Sequence, residues 1–91
     1  LTEVFETLFE SEGSEIYLNP VTEYVVPGRP VDFYTVLEAA RRRGETAIGY
    51  RVAEHAHHGR HGYGVRVNPK KAEQVTFDPA DRVIVLATGR A

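Results

Sequence analysis

The chain has 91 residues, 42% of them hydrophobic and 26% charged, with a net charge of −2 at pH 7 and no cysteine. That is the composition of one folded domain with a modest core, since a chain this short buries only about 60–65% of the surface its unfolded form exposes. The missing cysteines exclude a disulfide framework and a thiolate zinc site. The charge excludes a general nucleic-acid binder, which needs a basic surface to release counterions, and speaks equally against docking to an anionic membrane.

Taken in order, Leu1, Val4, Phe5, Leu8 and Phe9 recur at helical spacing and predict a short amphipathic helix over residues 1–12, stopped by Gly13. Such a helix cannot stand alone in water and must pack on the domain or on a second subunit. Residues 13–91 form the domain proper. Glu15–Leu18 reads as a strand ended by Asn19-Pro20. Tyr24–Val26 is a weaker extended piece, closed by the turn signal Pro27-Gly28.

Asp32 is placed to cap a helix by accepting from the amide of Tyr34 or Thr35. Phe33, Val36, Leu37 and Ala40 make its inward stripe. Arg41, Arg42 and Arg43 oppose the negative end of its dipole, and Gly44 ends it. Thr46–Val52 predicts a strand with Ile48, Tyr50 and Val52 on one face and Ala47, Gly49 and Arg51 on the other. A loop over Ala53–Gly62 leads to a second strand, Tyr63–Asn68, with Tyr63, Val65 and Val67 sharing a face. Val75–Phe77 is a short extended piece before the turn Asp78-Pro79-Ala80-Asp81. The last strand, Val83–Ala87, is apolar on both faces, so both sides of the sheet must be covered there. The helix covers one; the N-terminal helix or a partner subunit covers the other, and a homodimer or higher homo-oligomer is the natural solution. The expected fold is α+β, a small mostly antiparallel sheet with one packed helix plus an N-terminal helix.

No apolar run is long enough to span a bilayer. The chain opens on Leu1, contains no methionine and carries no signal peptide, so it reads as a piece of a larger protein.

Chemistry-bearing residues are few. Glu54–Gly62 holds all four histidines, His55, His57, His58 and His61. Imidazoles suit zinc or nickel, and His57 with His61, or His55 with His58, would converge if the loop folded back. Against a metal stand the missing cysteines and the entropy of ordering a glycine-containing loop, roughly 1–2 kcal/mol per residue. Gly59–Gly62 matches the GxxG of KH-type RNA-binding loops, but joins strands instead of helices. No G-x-G-x-x-G follows a strand, so a dinucleotide site is absent from this segment. Asp78 and Asp81, or Glu10, Glu12 and Glu15, are the acidic candidates for calcium, but lack the spacing of a dedicated loop and read better as turn formers and a solvated face. No serine stands beside a base, and Glu54 next to His55 lies in a loop without fixed geometry, so no enzyme is expected. Arg51 puts a charge in mid-strand, for a carboxylate, an anionic ligand or a partner chain.

Gly49-Tyr50-Arg51, Asn68-Pro69, the Asp81-led DRVIVLA and the earlier EGSEIYL (Glu12–Leu18) together resemble the C-terminal regulatory region of CASTOR/POLLUX-type ion channels and their bacterial relatives. The resemblance spans roughly residues 4–88. It implies an RCK C-terminal (TrkA-C-like) domain, dimeric, on the cytoplasmic side of a membrane protein, preceded by a Rossmann-like domain that would hold any dinucleotide and by a membrane pore. It implies regulation of a potassium or cation channel by an ion or small ligand that it does not name, a divalent cation such as calcium being one candidate, while zinc belongs to the histidine loop. Its place in the Gly49-Tyr50-Arg51 motif makes Arg51 the charged residue to test first for ligand binding, against the plainer reading of an exposed or ion-paired arginine on the solvated face. The histidine loop departs from the family, whose loop is typically shorter and not rich in histidine. The alternatives are a metal-binding module built on that loop and a purely structural dimerisation domain.

Overall fold

The computed structural model describes residues 14–88. The N-terminal helix expected over residues 1–12 lies outside them. Four strands form the main sheet in the order β1-β6-β3-β4, from β1 (Ser14–Pro20), β3 (Glu45–Arg51), β4 (Val65–Val67) and β6 (Arg82–Thr88). Every neighbouring pair is antiparallel. A second, two-stranded sheet pairs β2 (Pro30–Asp32) with β5 (Gln74–Thr76), and the helix α1 (Phe33–Arg42) follows β2 directly.

The position of β6 explains its composition. It sits between β1 and β3, so neither edge is free and each face must be filled by side chains. Val83, Val85 and Ala87 point to the helix side and are buried. Ile84, on the opposite face, is only 7% exposed, and Leu86 is half-buried. Phe33, Val36 and Ala40 of α1 pack into the core with Leu37 half-buried beside them. Between α1 and the Phe77 segment lies the Tyr50 ring, 6.3 Å from Phe33 and edge-on to Phe77 at 5.2 Å.

The helix begins as its sequence requires. Asp32 Oδ1 accepts from the Thr35 amide at 3.0 Å, satisfying one of the amide groups that an α-helix leaves open at its start. It ends at Arg43, and Gly44 takes the left-handed conformation that reverses the chain into β3.

Strict alternation in β3 is broken. The register steps from Ala47 opposite Val85 to Gly49 opposite Ile84, leaving Ile48 as the extra residue of a β-bulge. Glu45 and Ala47 before it, and Tyr50 after it, therefore all face the core. The expectation that Ala47 and Tyr50 lie on opposite faces is corrected by this bulge. Gly49 is required here, because a Cβ would run into the Arg66 carbonyl and the Val67 backbone of β4.

Two further expectations change. Tyr24 is not part of an extended piece. It follows a 3-10 turn (Val21–Glu23) and is buried, its hydroxyl accepting from Asn19 Nδ2 at 2.8 Å and donating to Glu45 Oε1 at 2.6 Å. The strand expected over Tyr63–Asn68 shrinks to Val65–Val67, because Tyr63 and Asn68 both take positive φ and Gly59–Gly64 coils into a 3-10 helix. Tyr63 is exposed there.

Candidate functional site

The segment between β3 and β4 is not an open loop. It is two 3-10 turns, Ala53–His55 and Gly59–Gly64, tied down from both sides. The Val52 amide donates to the Gly64 carbonyl at 2.9 Å. Arg51, at the end of β3, reaches across the segment. Its Nη2 donates to the Ala56 carbonyl at 3.2 Å and its Nε contacts the Tyr63 carbonyl at 3.4 Å. A guanidinium carries five donors in a fixed fork, so one side chain can tie two turns and keep donors in reserve.

Asp81 anchors the same segment from the opposite strand. Oδ1 accepts from the Ala53 amide at 2.8 Å, and Oδ2 from the Asp78 amide at 2.9 Å. Its own amide closes the turn on the Asp78 carbonyl, and Asp78 Oδ1 accepts from Ala80. These carboxylates thus form the turn that their sequence context suggests, and Asp81 is buried while doing so.

Arg82 is the residue that reading the sequence did not single out. The pairing of β3 with β6 sets Arg51 directly opposite Arg82, on the face away from α1. Arg82 Nη1 donates to the Leu18 carbonyl of β1 at 3.0 Å. Both arginines are held by carbonyl oxygens. Among the described residues the carboxylate-paired arginines are others: Arg41 and Arg42 with Glu38, Arg43 with Glu23 and Glu45, and Arg66 with Glu73. A half-open cavity of about 110 Å³ lies between Arg51 and Arg82, lined also by Ala53, Ala56 and Ala80. The signal that would have found the pair is strand order: once β6 is seen to lie beside β3, the two arginines become neighbours.

Of the histidines, the structure brings His55 and His58 together, their ring centroids 6.0 Å apart. His57 is exposed, and the side chain of His61 lies outside the described ones. Among the described residues no three histidine, aspartate or glutamate side chains converge on a common point suited to a metal ion. Glu15 accepts from its neighbour Tyr17 at 2.8 Å; Glu10 and Glu12 lie outside the described residues.

On the face carrying Arg51 and Arg82, the strand register also lines up apolar side chains. Leu18, Ile84, Gly49 and Val67 form one row across all four strands, and Ile16 and Leu86 pair in the next. Leu18 is 38% and Val65 42% exposed on this face. No helix among the described residues is long and apolar enough to cross a membrane.

No protein-family model matches the chain. Individual proteins do. It is 38% identical over 53 residues, 58% of its length, to the ion channel CASTOR of Lotus japonicus. It is 30% identical over 90 residues, 98% of its length, to the ion channel DMI1 of Medicago truncatula, and 32% identical over 83 residues, 91% of its length, to the probable ion channel CASTOR of Oryza sativa subsp. japonica. The matched stretches make up 6%, 9% and 7% of those three proteins. Nearly the whole chain is therefore similar to one short stretch of much longer plant ion channels.

Proposed function

We propose that this chain is a regulatory domain of a cation channel or transport system of the CASTOR/POLLUX kind. In this reading residues 13–91 are a unit of RCK C-terminal type on the cytoplasmic side, joined through residues 1–12 to an upstream Rossmann-like domain and a membrane pore. It senses an ion or small ligand and does no catalysis. The observation that carries the reading is the similarity to ion channels along nearly the entire chain. A sensor of this kind works only if its ligand prefers one arrangement of the assembly, since equal affinity for two states shifts neither.

Two copies would meet through the sheet face bearing Leu18, Ile84 and Val67, opposite the face that α1 covers. Leu18 and Val65, both more than a third exposed on this face, flank the row of Ile84 and Val67 and supply a contact surface of the kind that subunits bury. Sedimentation of the chain tests this. A dimer is expected at micromolar concentration, with Leu18→Lys converting it to a folded monomer, because an ammonium group next to Arg82 cannot be buried unpaired at such a contact. A wild-type chain that sediments as a monomer at all concentrations would refute the dimer. The regulatory reading is tested separately, by recording currents from the full-length channel with and without this segment. Unchanged gating on its deletion refutes it.

A further inference from the structure

The cavity between Arg51 and Arg82 brings two cationic residues of neighbouring strands to one place. Like charges directly opposite each other on antiparallel strands are destabilising, and pairs of opposite charge are the favourable choice. Here Arg51 and Arg82 are register partners across β3 and β6, and both line the same small cavity. Among the described residues neither is paired with a carboxylate, and no carboxylate lines the space between them. Asp81, the nearest acidic residue in sequence, is occupied by the amides of Ala53 and Asp78.

Both side chains are nevertheless positioned. The carbonyls of Ala56 and Tyr63 orient Arg51, and the carbonyl of Leu18 orients Arg82. Carbonyl acceptors fix a guanidinium without cancelling its charge. Each arginine retains donors, five per group less those already used. The remaining wall is three alanines, Ala53, Ala56 and Ala80, which offer shape but no competing charge.

We infer that this cavity is a binding site for one small tetrahedral oxyanion, of the phosphate class, held by Arg51 and Arg82 together. Paired guanidinium groups match phosphate oxygens with charge-assisted, bidentate hydrogen bonds. At about 110 Å³ the space is far below the roughly 300–1,000 Å³ of pockets that enclose drug-sized ligands, so it has room for a single anion group and not for a nucleotide. Arg51 also ties the two turns after β3, and Arg82 ties β6 to the edge strand β1. An anion bridging them would lock these elements to one another. The inference deepens the ligand-sensing reading and rests on it only for what binding would accomplish.

The test uses the chain with inorganic phosphate, against sodium chloride at matched ionic strength. Phosphate is expected to raise the thermal midpoint saturably and to shift the Nε–Hε resonances of Arg51 and Arg82. Arg82→Gln is expected to weaken phosphate binding about tenfold, the loss of one charge-assisted partner. Arg42→Gln, on the exposed face of α1, should leave binding as it is. Arg51→Lys provides a second variant that keeps the charge but loses the fork. If it does not fold, Arg82→Gln decides alone. Equal response to chloride and phosphate, or phosphate binding untouched by Arg82→Gln, overturns the site. A chain that dimerises but ignores phosphate sinks this inference alone, and one that binds phosphate as a monomer sinks only the dimer.

Discussion

Asp81 shows how much of this small domain rests on single polar side chains. Its two carboxylate oxygens receive the amides of Ala53 and Asp78, while its carbonyl receives the amide of Val21. Three chain segments therefore meet at one buried residue. Replacing it by alanine would orphan two partly buried N–H groups, and each such group costs about 1–3 kcal/mol. We expect Asp81→Ala to lose about 2–5 kcal/mol, a large share of the roughly 5–15 kcal/mol by which domains are stable. Asp81→Asn, which keeps one acceptor oxygen, should lose less. Urea denaturation of the three proteins checks the order, and an alanine variant as stable as the parent would show that water replaces the carboxylate. The same residue was legible from sequence only as a turn former. Its reach to Ala53 depends on β3 and β6 being neighbours, which local pattern does not encode.

At the scale of elements, legibility followed the range of the forces involved. The helix α1 was readable because its determinants are local: the Asp32 cap, the stripe Phe33, Val36 and Ala40, the terminal arginines and Gly44. The strand β6 was readable because five apolar residues in a row have few other uses in so small a domain. The β3 bulge was not readable, since it depends on how close β4 approaches Gly49. Nor was the folding of the histidine segment into 3-10 turns, which relies on Arg51 and the Gly64 carbonyl to hold it. Arg51 could be singled out from its mid-strand charge, whereas its partner Arg82 appears only with the register. The cap gives the sharpest test at this scale. Asp32→Ala removes the acceptor of both the Thr35 amide and the Thr35 hydroxyl. A loss of about 1 kcal/mol is expected, with Asp32→Asn losing little. By contrast, the Glu38 carboxyl, which Arg41 holds down to about 2, belongs to an exposed pair whose attraction is screened. Glu38→Gln should therefore be close to neutral in the same denaturation assay.

For the molecule as a whole, the buried tyrosines set an alkaline limit. The hydroxyl of Tyr24 sits inside a polar network. It receives from Asn19 and donates to Glu45, whose side chain is 2% exposed, and Arg43 lies 4.8 Å over its ring. Burial is the main cause that raises the Tyr24 pKa above 10.0, and its hydrogen bond to Glu45 adds to it. Tyr50, wedged between Phe33 and Phe77, is raised chiefly by burial as well, with the Glu73 charge contributing. A phenol whose folded pKa exceeds its unfolded value keeps its proton longer in the native state. Its contribution is complete below pH 10 and is lost as the pH climbs through the folded pKa, because the unfolded chain by then binds fewer protons. Stability should accordingly be flat from about pH 8 to about pH 9.5 and fall beyond it, with two tyrosines contributing to the slope. Tyr50→Phe keeps the aromatic contacts and removes one titrating group, so its alkaline slope should be shallower than that of the parent at nearly unchanged neutral stability. Urea midpoints measured across this range decide the matter. If Tyr50→Phe and the parent fall in parallel, the alkaline loss originates elsewhere, and Tyr24 with its Glu45 contact becomes the group to substitute next.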